Sequence, residues 1–355
     1  MRRTLSLMAL LSSCAPVVPG TSGADDEAAP DVGGGDGADG SDGSDGSDGA
    51  DGSDGADGSD GADGTDGTEL TYDCDALPDF NQGDDVIEHA RGYHGLAMMD
   101  DGSLLGWDMR DALVSATYDG GQSVWLPGLS SVEQIARHPD GHLFYASSAE
   151  GAVYRVETTG ARTMVGSGFY DAYGVTLGPD GNLYIADGNV WRLDPTTGEK
   201  TLLVEAPPDY RWWAHATGLN LDSTVLYIST VGNGQLLQVP LDADLNPTAD
   251  PELLVRLPGG WQDAVGVDAC GNLYIPDYYR STLFRVKPDG TYREIVNRSE
   301  WGYGHGVVWG RGLGGWREDA IYMPQPYNDA KVREVVIGVP DGATVRTWNG
   351  VAVGL

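Results

Sequence analysis

The chain has 355 residues, with 54 aspartates and glutamates against 21 lysines and arginines, and a formal net charge of −33. That balance argues against nucleic acid or anionic lipid as a partner, because both reward positive charge. Apolar residues make up 40% of the sequence, enough for a sizeable core in part of it.

From the N-terminus, MRRTLSLMALLSSC combines two arginines, a short apolar run and a cysteine, the layout of a secretory signal. The run from Leu5 to Leu11 is too short to span a bilayer as a helix. Leu11-Ser12-Ser13-Cys14 is similar to a bacterial lipobox and predicts a signal over 1–14, lipidation at Cys14 and export to the outer membrane or cell surface. An ordinary cleaved signal with a chance cysteine is the plainer alternative. Several acyl chains on one cysteine would anchor stably, each buried methylene adding about 0.8 kcal/mol. The membrane is then a partner through the lipid alone.

Residues 15–69 read as a disordered acidic tether. From Gly37 a glycine recurs every third position in an SDG/ADG run, the formal period of collagen. Without proline, and with an aspartate in each triplet, such chains would repel one another rather than wind together. For about 33 residues, random-coil scaling gives a reach of roughly 30 Å. Residues 25–66 hold 15 of the 54 acidic residues and the signal holds 2 of the 21 basic ones, leaving 39 acidic against 19 basic in the rest. Beyond Cys14 stand Cys74 and Cys270; in an exported chain they could pair, and two buried thiols are the alternative.

Residues 70–355 carry a repeat. DAYGVTLGPDGNLYIADGNVWRLDPTTGEKTLLV (171–204) reads as strand, PDG turn, strand, short turn, strand, TTG turn, strand. ARHPDGHLFYASSAEGAVYRVETTGARTMV repeats it one unit earlier. Units opening GLNLDSTVLYIST and GVDACGNLYIPD follow, AMMDDGSLLGWD begins the series, and VVWGRGLGGWREDAIYMPQP ends it. Four strands at a period of about 40 residues predict an all-β, six-bladed β-propeller of antiparallel strands. A lone four-stranded unit cannot bury both faces, so the blades must stack around an axis. Closure of the sixth blade falls to residues 70–90 or to the final TVRTWNG.

Aligning the units identifies the residue that opens each innermost strand, at one end of the channel: His94, Glu133, Tyr173, Thr217, Asp263 and His305. Gly95, Gly174, Gly218 and Gly306 follow four of them, suiting a backbone that approaches its neighbours closely. His94, His305, Asp263 and Glu133 fall in contiguous blades. At roughly 10 Å and an effective dielectric near 20, the two carboxylates would repel by about 1.7 kcal/mol, a cost a divalent cation would reverse. Two imidazoles with two carboxylates suit zinc, manganese or iron better than calcium. A solvated polar channel is the alternative.

The loops before these positions are rich in aromatics: Tyr93, Phe169, Tyr170, Tyr210, Trp212, Trp213, Trp261, Trp301 and Tyr303. They predict an apolar or sugar-stacking rim around a small-molecule pocket, with inter-blade packing as the competing use. Tyr173, Thr217, Trp212, Trp213, Trp261, Trp301, Tyr303 and Arg211 are the candidate substrate-binding residues. Arg91 and Arg211 could receive an anionic group, with His215 close by. Gly310 to Gly315 satisfies GxGxxG without a following helix, which argues against a dinucleotide role.

GPDGNLYIAD and DACGNLYIPDYYRSTLFRVKPDG resemble the senescence marker protein/gluconolactonase family and the related NHL-repeat propellers, over roughly residues 90–330. The resemblance implies one divalent metal in the channel and hydrolysis of lactones or other esters. That family holds its metal through a glutamate in a Glu-Gly-Pro step, an asparagine in an Asn-Gly step and an aspartate in an Asp-Gly step. Here the positions carry His94, Thr217 and Asp263, so the aspartate alone is kept. The His-Gly-Leu form also resembles amidating-lyase propellers, whose strand-opening histidines hold zinc. His94 and His305 match that pattern, with Glu133 or Asp263 in place of a third histidine. The sequence thus predicts a monomeric metal-dependent lactone or ester hydrolase with Asp263 or Glu133 as proton acceptor. A non-catalytic ligand-binding propeller is the second reading and a metal-dependent lyase the third.

Overall fold

The Pro-Asp-Gly steps fold into tight hairpins. In GPDGN, Gly181 adopts φ +76°, a left-handed conformation that side chains resist. Asp180 Oδ1 meanwhile accepts the Asn182 N–H at 3.1 Å, holding the turn in shape. The strands on either side, Gly174–Leu177 and Leu183–Ala186, pair antiparallel in register from Gly174↔Ala186 to Leu177↔Leu183.

Repeating that unit gives a computed structural model with six four-stranded antiparallel sheets. It describes residues 71–79, 84–87, 93–208, 213–280, 282–297, 304–325 and 331–354. The expectations at 1–14, at Cys14 and on the 15–69 tether lie outside the described residues, as do those at Arg91, Tyr210, Arg211, Trp212, Trp301 and Tyr303. Blades one to five run over 96–127, 135–167, 174–204, 214–256 and 266–297. Blade six takes its inner three strands from 308–336 and its outermost from Asp84–Ile87, paired antiparallel with Lys331–Val336. The N-terminal segment therefore closes the ring. TVRTWNG does not: Thr347–Trp348 and Val351–Ala352 form a separate hairpin. Its Thr347 N–H donates to the Leu221 carbonyl and its Trp348 Nε1–H to that of Ala243.

Burial is complete or nearly so in the second strand of each blade. Leu183–Ala186, second in its blade, is wholly buried, whereas the outermost strand Gln122–Pro127 has no buried residue. The core is distributed between neighbouring blades. Tyr184, Ala186 and Val190 of blade three, for example, pack on Leu219, Leu226 and Ile228 of blade four. Each fully buried aliphatic side chain contributes about 1.5–3 kcal/mol, so stability is built blade on blade. Cys74 and Cys270, 196 residues apart, form a disulfide that ties the N-terminal segment to blade five. No helix among the described residues is long and apolar enough to cross a membrane.

Candidate active site at the channel mouth

The inner-strand openings bring His94, Tyr173, Asp263 and His305 together from four blades. The Tyr173 hydroxyl is the hub, 3.0 Å from Asp263 Oδ1, 3.2 Å from His94 Nε2 and 3.4 Å from His305 Nδ1. All four residues are buried. Asp263 Oδ2 accepts from His305 Nδ1 at 2.9 Å and from the Gly306 N–H at 3.2 Å. Gln134 reaches across the channel from blade two and donates its Nε2–H to the Asp263 carbonyl at 2.8 Å. That fixes the aspartate's backbone as well as its carboxylate.

The hydrogen bonds define the tautomers. His94 Nδ1 lies 3.1 Å from the Glu133 carbonyl oxygen, which can only accept, so Nδ1 bears the proton and Nε2 presents its lone pair to the hub. Burial, with nearby His305 adding to it, lowers His94 to about 3, so the ring is neutral at pH 7. Burial alone would raise Asp263. The flanking imidazoles, His305 foremost, hold it instead below the usual carboxylate range.

Glu133 belongs to the same mouth but stands behind His94. Its Oε2 is 3.5 Å from His94 Nδ1, the nitrogen turned away from the hub, and its Oε1 accepts from the Ser148 hydroxyl. Burial raises its carboxyl to about 7. Together with His94, Thr217, Asp263 and His305 it lines one end of a channel cavity of about 110 Å³. Thr217 lies in that lining, but its hydroxyl is engaged with Thr176 Oγ1 at 3.0 Å.

The aromatic residues divide. Tyr93, Phe169 and Trp213 are buried in the packing between blades. Trp261 is half-buried at the mouth, beside two residues that the repeat alignment passes over, Tyr278 and Tyr279, with ring centroids 5.7 and 5.4 Å away. Tyr278 also meets His305 edge-on at 4.9 Å, and Tyr279 is exposed. The signal for them is the YY step after Asp277, since the second strand of a blade returns to the face from which the first one starts.

His215 is more central than its sequence position suggests. Strand Ala214–Leu219 pairs Ala214 with Thr230 and Ala216 with Ser229, so His215 is the extra residue of a β-bulge, a device that re-aims a side chain. The ring stacks on Tyr173 at 3.6 Å. Its Nδ1 is 3.6 Å from Asp263 Oδ1 and has no hydrogen-bond partner among the described residues. Burial lowers it to about 4.

In donor chemistry the mouth fits a divalent cation. His94 offers a lone pair fixed by its tautomer and Asp263 a carboxylate held in its charged form, and both face the Tyr173 oxygen. Among the described residues, however, the trio of histidine and carboxylate donors lying within 4.8 Å of one another is elsewhere, at His138, Asp140 and His142 in blade two.

No family profile matches the chain, and no curated protein matches it in sequence. Solved structures do match its fold. A calcium-binding regucalcin from Agrobacterium tumefaciens is 16% identical with a TM-score of 0.58, over 75% of this chain and 97% of that one. A gluconolactonase from Xanthomonas campestris is 14% identical with a TM-score of 0.61, over 76% and 97%. Virginiamycin B lyase from Staphylococcus aureus is 14% identical with a TM-score of 0.52, over 74% and 99%. The chain therefore shares the six-bladed architecture of gluconolactonase- and regucalcin-like propellers.

Proposed function

We propose that the channel mouth hydrolyses a lactone or ester with the help of one divalent metal, zinc, manganese or iron rather than calcium. The observation that carries this reading is the convergence of His94, Tyr173, Asp263 and His305, from four blades, on one buried hydroxyl. Clusters of buried titratable groups with displaced basicities concentrate at functional sites. His94 through Nε2 and Asp263 would hold the ion, which supplies electrophilic activation of the substrate carbonyl.

The chain's own groups take the remaining roles. Asp263, held ionised, orients the His305 ring through Nδ1–H. Of the two carboxylates, Glu133 would accept the proton across the channel cavity that both line, because a basicity near 7 matches the working pH while Asp263 is too weak a base. Trp261, Tyr278 and Tyr279 form an apolar wall for the substrate.

A metal-dependent lyase uses the same acid–base groups and is supported by the likeness to virginiamycin B lyase. The chain is exported and lipid-anchored through Cys14 in this reading, acting as a monomer. The Cys74–Cys270 disulfide supports export, since such bonds persist in oxidising compartments. A panel of lactones and esters, assayed on the metal-loaded full chain, tests the site. Turnover is expected in the wild type and lost in His94→Ala and Asp263→Ala; activity surviving both substitutions overturns the assignment.

A further inference from the structure

Blade two carries HPDGH (138–142) at the turn between strands Ile135–Arg137 and Leu143–Ser147. The turn lies at the opposite end of the inner strand from Glu133, away from the channel mouth. The His138 and His142 rings stack, with centroids 4.1 Å apart and planes 14° from parallel. Ligand atoms of His138, Asp140 and His142 all lie within 4.8 Å of one another. Two nitrogens on one tetrahedral zinc sit about 3.4 Å apart, given bonds of about 2.1 Å. Closing this trio on an ion requires the two rings to splay out of the stack, so that both in-plane lone pairs point to one place.

The protein's other turns serve as internal controls. In four of them the aspartate accepts the backbone N–H of the residue two positions on: Ser103 to Asp101, Asn182 to Asp180, Thr224 to Asp222 and Thr291 to Asp289, at 2.8–3.2 Å. Asp140 breaks this pattern. Its own N–H donates to His138 Nδ1 at 3.2 Å, and its carboxylate lies 3.5 Å from that nitrogen. The turn closes without it, through the His138 N–H to the His142 carbonyl at 2.9 Å. Packing edge-on against Phe144 accounts for the burial of His142, but it gives no use for the released carboxylate.

We propose that His138, Asp140 and His142 form a second metal site, for a borderline transition ion such as zinc, nickel or copper, with water completing the coordination. Two imidazoles and one carboxylate favour these ions over calcium or magnesium. The proposal stands independently of the chemistry at the channel mouth.

Calorimetric titration of the chelator-stripped full chain with zinc, and copper spin resonance on the same material, test it. His138→Asn and Asp140→Asn alter accessible turn positions and should leave the fold intact by circular dichroism; His94→Ala reports on the mouth. A binding event is expected that weakens at least about tenfold in His138→Asn, weakens in Asp140→Asn, and persists in His94→Ala. Its copper spectrum should show nitrogen coupling. An isotherm unchanged by both turn substitutions, the absence of zinc binding, or loss of all binding in His94→Ala overturns the proposal.

Discussion

A tyrosine hydroxyl has one proton to give. At Tyr173 it faces the Asp263 carboxylate and the His94 Nε2 lone pair together, so the hydroxyl stands at the point where those two groups would hold an ion and a substrate oxygen beside it. Tyr173→Phe should therefore lower kcat by about a hundredfold while leaving KM nearly unchanged, and cost only about 1 kcal/mol of stability. Steady-state kinetics beside a denaturation curve separate these effects. Titration gives a second prediction. His215 is lowered by burial from 6.5 to about 4, so its stabilising contribution is complete above pH 6.5 and lost as pH falls through 4. That amounts to about 3 kcal/mol. His94 acts in the same direction. Glu133 opposes them: raised from 4.5 to about 7, its contribution is present below 4.5 and lost as pH rises through 7. Two imidazoles outweigh one carboxylate, so the fold should weaken towards pH 4. His215→Asn should flatten that decline in urea unfolding at pH 7 and pH 4.5. Of the residues involved, His94, Asp263 and His305 are legible from the repeat alignment alone. His215 is not, because a bulge puts it one residue out of step with the other units.

At the scale of the strand, the glycine that follows four of the six ring positions has two different causes. At Gly95 a Cβ would stand 2.5 Å from the Glu133 carbonyl oxygen, the same oxygen that fixes the His94 tautomer. Gly95→Ala should push blades one and two apart, lowering stability by about 1–3 kcal/mol and lactone turnover with it. Gly306 is not crowded, with its nearest neighbour 4.0 Å away, but adopts φ +52° and turns its N–H onto Asp263. The sequence shows the shared glycine and hides the difference, since close approach and backbone twist select the same residue. The aromatic loops pose the same ambiguity. Trp213 and Phe169 are loop aromatics claimed by inter-blade cores, while Tyr278, read as part of a strand unit, faces His305.

At the scale of the molecule, the architecture is the most legible feature, because a turn motif repeated at constant spacing leaves few ways to bury both faces of a four-stranded unit. How the ring closes is less legible. Both chain ends offer a strand-like segment, and the choice of Asp84–Ile87 rests on a pairing across about 250 residues of sequence that no local pattern encodes. The disulfide lies just upstream of that closing strand, so Cys74→Ser should cost about 2–5 kcal/mol, measured as a lower thermal midpoint that reducing agent does not lower further. Whether water opens an ester at the channel mouth is read by running the reaction in heavy-oxygen water and weighing the product. Hydrolysis predicts one heavy oxygen retained per turnover in the new carboxylate, with none formed by His94→Ala. An unlabelled product carrying a new carbon–carbon double bond would contradict it.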